Sequence, residues 1–199
     1  MPAPRTNEYI QTGMQAIAGE MRGITEKTMV PFLIDDFSSS QSALGTTWEG
    51  FTDRVMGGVS DMLIGIGSED ERRHLCMAGE VSLKNNGGFI QARLLLRDGM
   101  RKSFDASAYT GIRLVVKARG VGYYIFLRTA KNIFPWSFFM APIKAGEEWQ
   151  ELRLPFSAFG KGDFGSFFQL DLKDISSIAV SVYKKEFVAD LKLREIGFY

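Results

Sequence analysis

The sequence predicts an all-β fold: a two-sheet antiparallel β-sandwich of jelly-roll type, preceded by a short N-terminal helical extension. Three observations predict it. From Phe32 onward, apolar runs of strand length follow one another between clusters of turn residues. Several runs alternate: Ile112, Leu114, Val116 and Ala118 stand against Arg113, Lys117 and Arg119, and Leu191 and Leu193 against Lys192 and Arg194. Such strands have one buried and one wet face. No helix-period segments lie between the runs, as the crossovers of a parallel sheet would require. Eleven strands in one flat sheet would leave a whole apolar face uncovered, so two packed sheets are expected.

Residues 1–30 read as a separate extension. Ile10, Met14, Ile17 and Met21 recur on one stripe of a helix that Asn7 can cap. Gly13 and Gly19 each weaken it by about 1 kcal/mol relative to alanine, so the helix needs its stripe docked. Residues 31–199 are expected to form one sandwich domain. Its strands are expected over 32–36, 46–52, 62–67, 74–83, 89–96, 112–119, 122–129, 136–142, 149–155, 178–183 and 191–198. The stretch 160–168, with three glycines among phenylalanines, reads as a loop tucking aromatics against the sandwich rim.

Composition narrows the function. Lysine and arginine total 24 against 23 acidic residues, so no global positive field draws the chain onto nucleic acid or an anionic membrane. Cys76 is the single cysteine, which excludes an intramolecular disulfide and suits a reducing compartment. No stretch reaches the roughly 18 apolar residues of a membrane helix, because Arg128, Lys131 and Pro135 interrupt the longest aromatic tract. The N-terminus has no signal-type apolar core, and Arg5 and Arg22 mix with Glu8 and Glu20. A cytoplasmic setting is expected.

Two stretches carry paired glycines beside aromatic anchors. The first runs from Trp48 through Asp53, Arg54, Met56, Gly57 and Gly58 to Ser60; the second holds Asn85, Asn86, Gly87, Gly88 and Phe89. Asn86-Gly87 between two strands is the favoured chemistry of a tight hairpin turn, while Asp53 and Ser60 can satisfy local amides in an irregular loop. No Lys-Ser or Lys-Thr follows Gly57-Gly58, so a phosphate-binding loop is not indicated. Both stretches are expected to be scaffold closing one end of the sandwich.

These same residues resemble the signature of the complex I intermediate-associated protein 30 family. Asp105 to Tyr109 followed by Gly111 to Leu114, and Trp149 to Phe159, resemble its downstream segments. The likeness covers about residues 32–199. It implies a galactose-binding-like sandwich, an architecture shared with many carbohydrate-binding modules. For the mitochondrial members it implies an assembly factor of respiratory complex I that binds intermediates and catalyses nothing. This sequence departs from those members in showing no import-type leader.

Catalytic chemistry is thinly represented. His74, the sole histidine, and Cys76 lie two apart on one expected strand, sharing a face without the independent orientation a base and nucleophile need. No metal set and no cofactor fingerprint are found; Asp35-Asp36 and Asp171 with Asp174 supply carboxylates, which in loops usually cap turns. The binding surface is expected on strands. If Tyr123, Ile125 and Leu127 face the core, then Tyr124, Phe126 and Arg128 face outward, and Trp136, Phe138 and Met140 extend that face. Aromatics with arginine dominate interface energetics, so a protein partner is expected there, a membrane-complex assembly intermediate by the resemblance. A sugar or other small ligand is the alternative.

Overall fold

Alternation decides which side of each strand faces inward, and pairing sorts those faces into two sheets. The structure, a computed structural model, describes residues 30–132, 134, 136–162 and 169–199. The helix expected within 1–30, and most of the loop expected over 160–168, lie outside the described residues. Among them are twelve strands: β1 (Phe32–Asp35), β2 (Glu49–Thr52), β3 (Leu63–Glu69), β4 (Arg72–Val81), β5 (Phe89–Leu95), β6 (Gly111–Arg119), β7 (Tyr123–Thr129), β8 (Phe139–Ile143), β9 (Gln150–Pro155), β10 (Gly160–Lys161), β11 (Ile175–Tyr183) and β12 (Phe187–Phe198). The expected strands are all present with ends shifted by a few residues. The short β10 is an addition within the expected loop.

The first sheet runs β3-β4-β12-β6-β9 and the second β10-β8-β7-β11-β5-β2. Every pairing is antiparallel. β1 also joins the first sheet, pairing with the end of β12 beyond the stretch that β4 occupies. The predicted phases hold: Ile112, Leu114 and Val116 of β6 meet Ile125 and Leu127 of β7, with Ile178 and Val180 of β11, in one buried cluster. Removing such a side chain to alanine costs about 2–5 kcal/mol.

The expected Asn86-Gly87 hairpin is corrected by this topology. β4 belongs to the first sheet and β5 to the second, so the residues between them cross from sheet to sheet. Gly87, at a φ of −72°, does not take the left-handed angle that an Asn86-Gly87 hairpin turn asks; Asn85 and Asn86 take left-handed φ angles of 56° and 57° instead. They spend them on a 3-10 turn over Lys84–Asn86. The connection from β2 to β3, which holds Gly57-Gly58, crosses between the same two sheets.

One hydroxyl ties the two sheets together. Tyr123 Oη, on the second sheet, donates to the Arg119 carbonyl at 2.7 Å and accepts from the Asp190 amide at 2.8 Å, both on the first. Burial pushes this phenol up to about 12. Tyr123→Phe leaves that amide and carbonyl without their partner and is expected to cost about 1–3 kcal/mol. Urea denaturation checks it: the midpoint falls with the slope unchanged, and an unmoved midpoint contradicts the role.

Candidate functional site

The two glycine-pair stretches meet at one carboxylate. Asp53 opens a 3-10 turn (Asp53–Met56) capped by the Thr52 side chain, and it is fully buried. Its Oδ1 accepts the Ser60 amide at 2.9 Å. Its Oδ2 accepts the Ser60 hydroxyl, the Gly88 amide at 2.6 Å and the Phe89 amide at 3.3 Å. Ser60 Oγ in turn accepts the Ser82 amide at 3.0 Å, and Asn85 Nδ2 donates to the Gly57 carbonyl at 3.2 Å. Both crossovers are thereby stitched together. Glycine is required because the backbone passes so close: a Cβ on Gly58 would collide with the Asp53 carboxyl carbon, and one on Gly87 would sit 2.5 Å from its Oδ2.

Burial by itself raises the Asp53 pKa, but the hydrogen bonds from Ser60, Gly88 and Phe89 outweigh it and hold the carboxyl below its ordinary value. The charge is met by amide dipoles and a hydroxyl. Arg54 turns away, donating to the Ser60 carbonyl at 3.0 Å and pairing loosely with Asp61. Met56 is exposed and takes no part in the hub. Trp48 is held elsewhere, its Nε1 donating to Asp35 at 2.9 Å.

The outer face of the second sheet is laid out by register. One row across it reads Phe51, Gln91, Ser181, Tyr124, Pro142; the next reads Glu49, Arg93, Ala179, Phe126, Met140; and Arg128 follows Phe126 on β7, opposite Ser177. The outward phase of Tyr124, Phe126, Arg128 and Met140 is as expected. Exposure differs. Phe126 and Phe138 are buried, each 6 % exposed, because their rings stack at 4.0 Å and Tyr183 closes edge-on against both, at 5.5 and 5.4 Å. Ala179, small and buried, leaves room for this second, minor core. These two phenylalanines are therefore its floor and not free contacts. What remains open is Trp136, stacked on Phe134 at 5.3 Å with each about half exposed, and the half-buried Tyr124 and Met140.

Arg128 organises that edge. Its Nη2 donates to the Asn132 carbonyl at 2.6 Å and the Phe134 carbonyl at 2.8 Å, while Asn132 Oδ1 accepts the Thr129 amide at 2.8 Å. Sequence reasoning passed over Arg93, whose guanidinium lies 4.1 Å over the Phe51 ring. The phase of β5 carried the signal: Gln91 and Arg93 alternate with the buried Ile90, Ala92 and Leu94.

His74 and Cys76 share the outer face of the first sheet; burial lowers the imidazole pKa and raises that of the thiol, which disfavours both charged forms. Asp35 accepts the Phe37 amide and the Trp48 indole, Asp36 caps Ser38, and Asp171 caps Lys173 and pairs with Lys131 at 2.9 Å. Among the described residues no three His, Cys, Asp or Glu side chains gather as metal ligands. No helix among them is long and apolar enough to cross a membrane.

The family model described as Complex I intermediate-associated protein 30 (CIA30) matches residues 36–193. No curated protein sequence matches the chain significantly. In three dimensions it is similar to the family 11 carbohydrate-binding module of Clostridium thermocellum, solved with a β-1,3-1,4-mixed-linked tetrasaccharide. That pair has a TM-score of 0.66 and 18% identity, covering 86% of this chain and 96% of that one. It is also similar to a family 30 carbohydrate-binding module of a C. thermocellum cellulosomal cellulase, with a TM-score of 0.60 and 12% identity over 86% of this chain and 98% of that one. At such identities the likeness carries the fold alone.

Asp53→Asn is expected to cost about 2–4 kcal/mol at pH 7, because an amide turns donors toward the amides that now donate to it. The sign with pH follows from the lowered folded pKa. The carboxylate's contribution is complete above the unfolded value of about 3.9 and is lost as pH falls through the lower folded one. Paired urea titrations should show the gap between wild type and variant closing below pH about 4; a gap that stays constant into that range refutes the role of the charge.

Proposed function

The chain belongs to the complex I intermediate-associated protein 30 family, whose model spans residues 36–193, and from that premise we propose that it is a non-catalytic binding domain that captures a protein partner and assists assembly of a larger complex. The partner is an assembly intermediate of respiratory complex I type. Capture takes place on the outer face of the second sheet, in the single sandwich domain over 31–199. The observation that carries this reading is the aromatic edge beside Arg128, where the Phe134–Trp136 stack stays half exposed on a loop pinned by arginine and asparagine hydrogen bonds. An aromatic anchor beside arginine is the composition that dominates binding energy in protein interfaces.

Sugar binding is the second reading, favoured by one feature: the stacked Phe134 and Trp136 rings, parallel to within 11° and each about half exposed, offer an aromatic face, with the Gln91 amide on the outer face of the sheet. A glycan array decides it, since specific retention of any oligosaccharide moves the conclusion to that class.

The test of the first reading is a Tyr124→Ala/Trp136→Ala variant in affinity purification from the native host. Both side chains are partly exposed, so stability should change by no more than about 1 kcal/mol each. Recovery of complex I subunits or assembly factors should fall about tenfold or more, the loss of roughly 1.4 kcal/mol expected of one anchor. Unchanged recovery sinks the proposal. Phe126→Ala is the wrong probe, since it opens the minor core.

A further inference from the structure

We propose that this face receives a carboxylate, supplied by an acidic side chain of the protein partner, between the guanidinium groups of Arg93 and Arg128. The inference rests on the reading of the face as a partner surface and adds the chemistry of its contact.

Arg93 and Arg128 stand on either side of β11, whose outward residues between them are Ser177 and Ala179, both small and buried. Two long cations thus flank a low floor. Arg93 Nε is buried and hydrogen-bonds nothing, and among the described residues the acid paired with its guanidinium is Glu49, at 3.5 Å from Nη2 and more than half exposed. Arg128 forms no ion pair with a described residue, and its bonded Nη2 is held by carbonyls that leave its charge uncompensated. Burial first, and the charge of Arg93 second, lower the Arg128 pKa.

Elsewhere the molecule balances such charges. On the first sheet, Lys117 and Lys192 face each other and share Glu69, at 2.6 and 3.3 Å. On the second sheet Glu49 pairs with Arg93 alone, and no described carboxylate is shared between Arg93 and Arg128. Two half-buried guanidiniums beside Phe51 and Phe126 favour a planar anion that accepts a forked pair of hydrogen bonds, in a site where water competes weakly. A neutral sugar would leave the Arg128 charge without a counter-ion; a glutamate or aspartate side chain supplies one.

The test uses the full chain labelled with nitrogen-15, reading the Nε–Hε signals of Arg93 and Arg128. It is titrated with hydrocinnamate and with its neutral isostere hydrocinnamamide. The carboxylate should shift both signals saturably, and affinity should fall about tenfold for the amide and in Arg93→Gln. Equal response to the two ligands, or unchanged affinity in Arg93→Gln, overturns the proposal. Should Arg93→Gln perturb the fold, Arg93→Lys keeps the charge without the fork and should bind more weakly than wild type; wild-type affinity there likewise overturns it. Tighter binding of trigalacturonate than of the peptide acetyl-Glu-Phe-Glu-amide overturns assignment to a protein.

Partner capture separates this inference from the reading beneath it. Loss in both Arg93→Gln and Tyr124→Ala/Trp136→Ala supports the carboxylate contact. Loss in the double variant alone overturns the contact and leaves the surface. Retention in all variants overturns both.

Discussion

The carboxylate of Asp53 is the constraint on which one end of the sandwich depends. It gathers amides from two crossovers, one of them reached 35 positions along the chain, and so fixes how the strands on either side pass from sheet to sheet. Burying an unpaired charge is expensive by several kcal/mol, and only a full set of short hydrogen bonds offsets it. This explains why glycine stands at Gly58 and Gly87: any side chain there would push away the backbone that solvates the charge. The motif is conspicuous in the sequence for that packing reason, and not because chemistry is performed there.

A pinned end has a consequence for the faces. With β2 and β5 fixed at the hub, the outer rows of the second sheet present Phe51, Arg93 and Gln91 in defined register with Tyr124 and Phe126. The minor core of Phe126, Phe138 and Tyr183 stiffens the same face from the other side. Preorganisation of this kind lowers the entropic cost of binding, which suits a surface whose open anchors are few.

The two outer faces differ in electrostatics. On the first sheet cations and acids are interleaved: Glu69 serves Lys117 and Lys192 and is held down to about 2, first by the bond from Lys117. Arg113 lies between Glu151 and Glu195 at 2.8 Å each, and Arg194 lies 4.0 Å over the Trp149 ring. Among the described residues on that face, His74 Nδ1 and Arg194 Nε are buried without a hydrogen-bond partner. The second face joins aromatic surface to Arg93, paired only with Glu49 at 3.5 Å, and to Arg128, which pairs with no described acid, an asymmetry invisible in a net charge of +1.

By itself the sequence determined the fold class, the strand phases and the identifying motifs, because period-two alternation and glycine pairs are local properties that any window displays. Ile112 to Arg119 could be read correctly without knowing their neighbours. The tertiary structure alone decided three things. It turned Asn86-Gly87 from a hairpin into a crossover: Gly87 takes a φ of −72° in place of the left-handed angle a hairpin asks, and the Gly88 amide goes to Asp53. It buried Phe126 and Phe138, whose outward phase was legible but whose cover, Tyr183 over a small Ala179, comes from a strand some fifty residues away in the chain. And it set Arg93 against Arg128 across β11, a relation between three strands that no spacing in the sequence encodes.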